Sequence, residues 1–322
     1  MAIPEIFQGR LSIPAIAAPM FLVSNPELVI ETCKAGVVGT FPALNQRTTE
    51  GFEEWLKQIT SALRTYEQES GKKAAPFGVN LIVHGTNPRL EADLAMCAKY
   101  KVPLIITSLG AVAEVVNSIH AYGGIVFHDI ISIRHANKAA SAGVDGLIAV
   151  CAGAGGHAGT LHPFALISEI RQFFDKTILL SGCISTGGQI VSALAMGADM
   201  AYMGTRFINT KESGVADEYK QMIVDSRAQD IIYTPAISGV HASFLRQSIV
   251  NAGLDPENLQ PKKDIDFGQE MTVPKEGAKA WKQVWSAGQG VGSIHDIPTT
   301  AELCARLKQE YEQTLRDLAK RL

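Results

Sequence analysis

Eight short apolar runs, each followed by small residues and then an amphipathic stretch, leave this 322-residue chain few folds to adopt. The runs fall at residues 13–17, 37–41, 77–81, 104–107, 125–128, 146–150, 178–180 and 198–203, and their branched aliphatic content suits strands buried on both faces. Helical patterns lie between them at 26–35, 49–69, 88–99, 111–122, 133–142, 163–174 and 188–196. Ala35-Gly36, Ala142-Gly143 and Met196-Gly197 each set a glycine just past a last helical turn. The alternation predicts an α/β fold, a (β/α)8 TIM barrel. The rival, an open doubly wound sheet, is weakened because no G-x-G-x-x-G turn follows the first strand.

Composition narrows the function. A formal charge of −3 gives no electrostatic footprint for nucleic acid or an anionic membrane. Cys33, Cys97, Cys151, Cys183 and Cys304 are odd in number and widely spaced, which reads as reduced thiols in a cytoplasmic protein. No signal-peptide pattern and no membrane-length apolar run is present, so export is not expected.

The most informative stretch is 177–206, TILLSGCISTGGQIVSALAMGADMAYMGTR. Its two strands run into Ser181-Gly182-Cys183 and Gly204-Thr205, small residues that let backbone N–H groups approach a ligand, and a helix N-terminus follows the first of them. Two such turns on the seventh and eighth strands predict a bound phosphate at the barrel mouth. Beyond residue 209 the strand–helix rhythm stops. Residues 1–209 with 285–322 are therefore read as the barrel, and 210–284 as a helical lid over its mouth, with 242–253 as an amphipathic helix and 254–268 as polar turns.

Other strand ends offer chemistry. Ala18-Pro19-Met20-Phe21 reads either as a flat bed and wall for an aromatic ring or as an ordinary apolar loop. Asn80 offers a donor and an acceptor to a heterocycle edge, or serves a turn. Thr107-Ser108-Leu109-Gly110 reads as no more than a helix cap. His128 and Asp129 are neighbours on one strand, so alternation sends them to opposite faces and they form no automatic dyad. His157 lies in a loop of Gly and Ala, with nothing bulky beside it to pack on, and reads as a base or donor facing a ligand. No metal is expected, because no His or carboxylate spacing matches a ligand pair.

Together these residues resemble the FMN-dependent 2-nitropropane dioxygenase/nitronate monooxygenase family, which is related to flavin-type enoyl-acyl-carrier-protein reductases and NAD(P)H:quinone reductases. The resemblance covers nearly all of residues 8–212 and returns at Trp285-Ser286-Ala287-Gly288-Gln289. It rests on Pro19-Met20, Phe77-Gly78-Val79-Asn80, Arg134-His135-Ala136, Gly155-Gly156-His157-Ala158-Gly159, Ser181-Gly182 and Met203-Gly204-Thr205-Arg206-Phe207. The resemblance implies FMN, with its phosphate on Ser181, Gly182, Cys183, Gly204 and Thr205. Its ring would then lie near Ala18, Pro19, Met20, Asn80, His128, Gly155 and Gly156. His157 would be the catalytic residue, and Phe21, Asp129, Tyr233 and Gln289 would lie on the substrate side.

The implied reaction oxidises an alkyl nitronate or nitroalkane with O2 to a carbonyl compound and nitrite. The expected partners are a small-molecule substrate and O2, with a homodimer as an assembly to test. The alternatives are an NAD(P)H-dependent reductase of a quinone or enoyl thioester, and a non-catalytic barrel that holds FMN or another phosphate ligand. The chain departs from the family on the substrate side: Asp129 stands where several reductase relatives carry a basic residue, and Val150 and Gly153 replace acidic ones.

Overall fold

The computed structural model describes residues 2–110, 112–260 and 283–321. Eight parallel strands close a barrel in the order β1-β2-β3-β4-β5-β6-β8-β9. They are β1 (Ala15–Ala17), β2 (Val38–Pro42), β3 (Gly78–Ile82), β4 (Leu104–Ser108), β5 (Ile125–Ile130), β6 (Gly146–Val150), β8 (Thr177–Ser181) and β9 (Met200–Met203). β1 pairs with β9 through Ile16–Tyr202, which closes the ring. The crossover helices are α1 (Pro26–Lys34), α2 (Thr49–Ser70), α3 (Leu90–Lys99), α4 (Ala113–His120), α5 (Ile133–Ser141), α6 (Pro163–Ile170) and α7 (Gly187–Ala195), and α8 (Thr205–Ile208) follows β9. Every strand expected from the sequence is present, so the (β/α)8 barrel holds.

Alternation along the strands sorts two apolar layers. Ala17, Val79, Leu81, Ile105, Val126, Leu147, Leu180 and Met203 face the helices, and that layer is the larger core. Ile16, Val38, Leu104, Ile106, Phe127, Ile148, Leu179 and Met200 fill the barrel. Phe7 joins the filling and meets Phe127 edge-on at 6.1 Å. The interior is thus solid, and what remains open is the carboxyl-end mouth.

The chain after β9 differs from the helical reading. It contains α9 (Asp217–Asp225), β10 (Ile231–Thr234), β11 (Ala242–Leu245) and α10 (Arg246–Asn251), and it is followed near the end of the chain by α11 (Thr300–Ala319). β11 pairs antiparallel with β10 on one side and with the two-residue β7 (Gly156–His157) on the other. The helix expected over 242–253 therefore begins only at Arg246. The four residues before it are buried and take ladder partners on both edges, and this pairing outweighs a short apolar run that fits either period. Residues 261–282 of the expected lid, with the end of its turn-rich stretch, lie outside the described residues. No helix among the described residues is long and apolar enough to cross a membrane.

Candidate active site

Six strand-end side chains meet at the barrel mouth. Asn80, Ser108, Asp129, Val150, Ser181 and Tyr202 lie on the inward face and line a cavity of about 770 Å3 at the mouth. That volume suits a cofactor together with a small substrate. The same cavity is lined by Ala18, Pro19, Met20, Phe21, Gly155, Gly156, His157, Gly182, Cys183, Gly204, Thr205 and Tyr233. Of the residues singled out from sequence, Gln289 is not brought to the cavity. It is exposed beyond Gly153, to whose carbonyl its backbone N–H donates at 2.8 Å.

The β8–β9 wall is built from backbone. Gly182 has φ +127°, a conformation open to glycine, and Cys183 follows at +57°. A Cβ at Gly204 would stand in ordinary contact, 3.8 Å from Met20 Sδ and 3.9 Å from Ala18 Cβ, so the backbone here is not crowded. The N-terminus of α7 contributes less than its sequence suggests. Gln189 Oε1 accepts from Ser185 N and Thr186 N, and Glu310 Oε2 accepts from Gly187 N at 2.7 Å. Those amides are already served, which leaves the turn residues themselves to meet an anion. Desolvation raises the Cys183 thiol above its usual pKa, so no thiolate competes there.

The opposite wall is built from side chains. Asn80 Nδ2 donates to Ser108 Oγ at 2.7 Å, and Ser108 Oγ donates to Asp129 Oδ2 at 2.5 Å. Ser108 is thus a bridge and not a helix cap, and α4 starts without any side-chain cap. Desolvation among the barrel residues pushes the Asp129 carboxyl up to about 6, against the lowering effect of the Ser108 bond. His128 turns to the outer face and reaches only the cavity's edge. It is 6% exposed, with Nδ1 2.8 Å from Thr107 Oγ1. Burial first, and then the charges of His135 and Lys138, push its pKa down to about 4.

His157 is carried by β7, and β7 is held from three sides. β11 pairs with it through Ala242–His157 and Ser243–Gly156. Ser286 Oγ accepts from Gly156 N at 2.7 Å while donating to Ser243 O at 2.6 Å. Gly288 N donates to Thr205 Oγ1 at 2.9 Å, and a Cβ on Gly155 would come within 2.8 Å of that same nitrogen. Tyr233 braces the loop by donating to Ala158 O at 2.6 Å. His157 is exposed at the mouth, and desolvation by the surrounding loops lowers its pKa, so the imidazole is neutral at pH 7. Ser286 escaped the sequence reading because its role depends on a pairing between segments 130 residues apart. Its only signal was the Trp285-Ser286-Ala287-Gly288-Gln289 run.

A solid parallel barrel with a backbone cradle, a neutral imidazole and a shifted carboxyl around one mouth is the architecture of a barrel enzyme. The chain belongs to the nitronate monooxygenase family, which it matches over residues 42–310, and that makes it an oxidoreductase. It is 26% identical to a nitronate monooxygenase of Paraburkholderia phytofirmans, with 95% of this chain and 94% of that one covered. It is 28% identical to a (3aS,4S,5R,7aS)-5-hydroxy-7a-methyl-1-oxo-octahydro-1H-indene-4-carboxyl-CoA dehydrogenase of Rhodococcus jostii, with 90% of each covered. Among solved structures it resembles a nitroalkane oxidase of Streptomyces ansochromogenes (TM-score 0.80, 24% identity, 98% of this chain and 100% of that one). It also resembles FabK of Thermotoga maritima (TM-score 0.77, 21% identity, 98% and 97% covered), a likeness of fold.

Proposed function

We propose that this chain binds FMN and oxidises an alkyl nitronate with O2. One observation carries the reading: the backbone cradle at Ser181, Gly182, Cys183, Gly204 and Thr205 and the imidazole of His157 line the same cavity. The cradle fits a phosphate because its residues are small and its backbone is uncrowded at Gly204. Ala18, Met20 and Gly155 offer small or apolar surface for a ring, and Asn80 offers a polar edge. The chemistry supplied by bound FMN is electron transfer from substrate to dioxygen, with a carbonyl compound and nitrite as products.

The chain's own part is to orient the substrate and handle its proton. Neutral His157 both accepts a proton and donates its ring N–H to a nitronate oxygen. A pKa near 4 gives little driving force for taking a carbon-bound proton, so a preformed nitronate is the better substrate and a neutral nitroalkane the slower one. Asp129, its pKa near 6, holds Ser108 and through it Asn80 in one orientation.

The test is spectroscopic. The purified chain should be yellow or take up FMN, and propyl nitronate should bleach it anaerobically. Bleaching by NADH or NADPH but not by nitronate would replace this reading with a nicotinamide-dependent reductase. Failure to retain or rebind FMN would remove both. The Rhodococcus jostii relative, named for a carboxyl-CoA substrate, keeps an acyl-thioester oxidoreductase as the second reading.

A further inference from the structure

The rim of the mouth at α5 carries charge that the proposed reaction does not use. Arg134, His135 and Lys138 all line the cavity and all are exposed. Arg134 and Lys138 are four residues apart, one turn along the same helix face, where like charges repel. Arg134 also stands in the first turn of α5, at its positive end, where no acidic residue offsets it. Among the described residues neither forms an ion pair with a carboxylate. The nearby acid of β5, Asp129, points into the barrel and is bonded to Ser108. Like charges without a carboxylate partner thus gather at one edge of a binding cavity.

The remainder of that rim is apolar. Leu109, Ile131 and Phe21 line the cavity and are 47%, 40% and 41% exposed. Leu109 is held at φ +66°, a left-handed conformation that a leucine rarely adopts. A small nitronate held at His157 has no need of this rim. An amphipathic molecule would use it all, with an apolar or reactive head in the cavity and an anionic tail on the cations.

We infer that Arg134, His135 and Lys138 form a subsite for the phosphate-bearing tail of a substrate or reductant whose reactive end enters the cavity. The tail chemistry has two sources, an acyl thioester of coenzyme A or a phosphorylated nicotinamide dinucleotide. This subsite stands apart from the nitronate reading and survives or fails without it.

Calorimetric titration at low ionic strength, with FMN in excess, tests it on the full chain. The probes are adenosine 3′,5′-bisphosphate, which is the coenzyme A terminus, adenosine 2′,5′-bisphosphate, which is the NADPH terminus, and inorganic phosphate. At least one nucleotide should bind more tightly than phosphate, and the Arg134→Gln/Lys138→Gln double variant should weaken it at least tenfold. Which nucleotide binds tells thioester from dinucleotide. Both substitutions are on the surface, and an unchanged melting curve verifies the fold. Binding of neither nucleotide above phosphate, or equal binding by the double variant, overturns the subsite. Failure of FMN to bind leaves this comparison of wild type and variant intact and counts only against the flavin reading.

Discussion

The two walls of the mouth are made of different material. On the β8–β9 side the chain presents main chain and small side chains, held by a glycine at φ +127° and a cysteine at +57°. On the β4–β5 side and in the His157 loop it presents titratable groups moved from their ordinary pKa by desolvation, the Asp129 carboxyl upward and the His157 imidazole downward. A backbone cradle is fixed by conformation and holds a ligand that does not change. A wall of shifted side chains is tuned by environment, and single substitutions retune it. On this view the first wall keeps the cofactor and the second decides the reaction.

The strongest test separates holding from reacting. His157→Asn should keep FMN bound while lowering turnover of neutral nitroalkanes by about 10²- to 10⁴-fold, and of preformed nitronates much less. Steady-state rates on both substrates, with flavin content read by absorbance, decide it. Equal losses would remove the proton-transfer role. The converse variant is Gly182→Val, which forces a branched residue to φ +127° at a cost of about 1–3 kcal/mol. Flavin affinity should fall by about 5- to 150-fold in an equilibrium titration, and flavin that is bound should turn over at the wild-type rate. If Gly182→Val slows bound enzyme while His157→Asn sheds flavin, the contrast between the walls is broken.

Smaller effects sharpen it. Asp129, with its pKa near 6, should give an inflection near that pH in the nitronate rate, and Asp129→Asn should abolish it. Stability carries the opposite signs of the two shifts. The His128 pKa is depressed to about 4 from 6.5, so its contribution is complete above about 6.5 and is lost as pH falls towards 4. The Asp129 pKa is raised to about 6 from 3.8, so its contribution is complete below about 3.8 and is lost as pH rises through 6. Denaturant midpoints from pH 4 to 7 should therefore rise more steeply with pH in Asp129→Asn than in wild type. In His128→Gln they should rise less. The most local change expected is in Ser286→Ala, which strips partners from Gly156 N and Ser243 O and should cost about 1–3 kcal/mol. Faster amide exchange at Gly156 and His157 would check it.

The fold was legible because a buried parallel strand leaves a local signature, an apolar run between helical periods, and the barrel needs only that signature repeated. That His157 and the Ser181-Gly182-Cys183 turn lie at the mouth was legible for a different reason, since their small neighbours already describe an exposed loop. What depends on distant partners was not. β7 is two residues long and has no period of its own, and β11 looked helical until its partners on both edges were seen. Ser108 looked like a cap because its use is set by Asn80 and Asp129 on the adjoining strands. Gln289 followed the right motif to a position beyond the cavity, because there the chain engages Gly153 through its backbone.

The small sheet β10-β11-β7 has a consequence for the order in which the molecule is put together. Its strands hold four, four and two residues, and it joins residue 157 to residue 242. Closing so long a loop for so few ladder bonds is favourable only once the barrel has already brought both ends near. The segment bearing His157 is thus the last to assemble and the first to come apart. On gentle heating, competence should fade while the barrel and its backbone cradle are still intact.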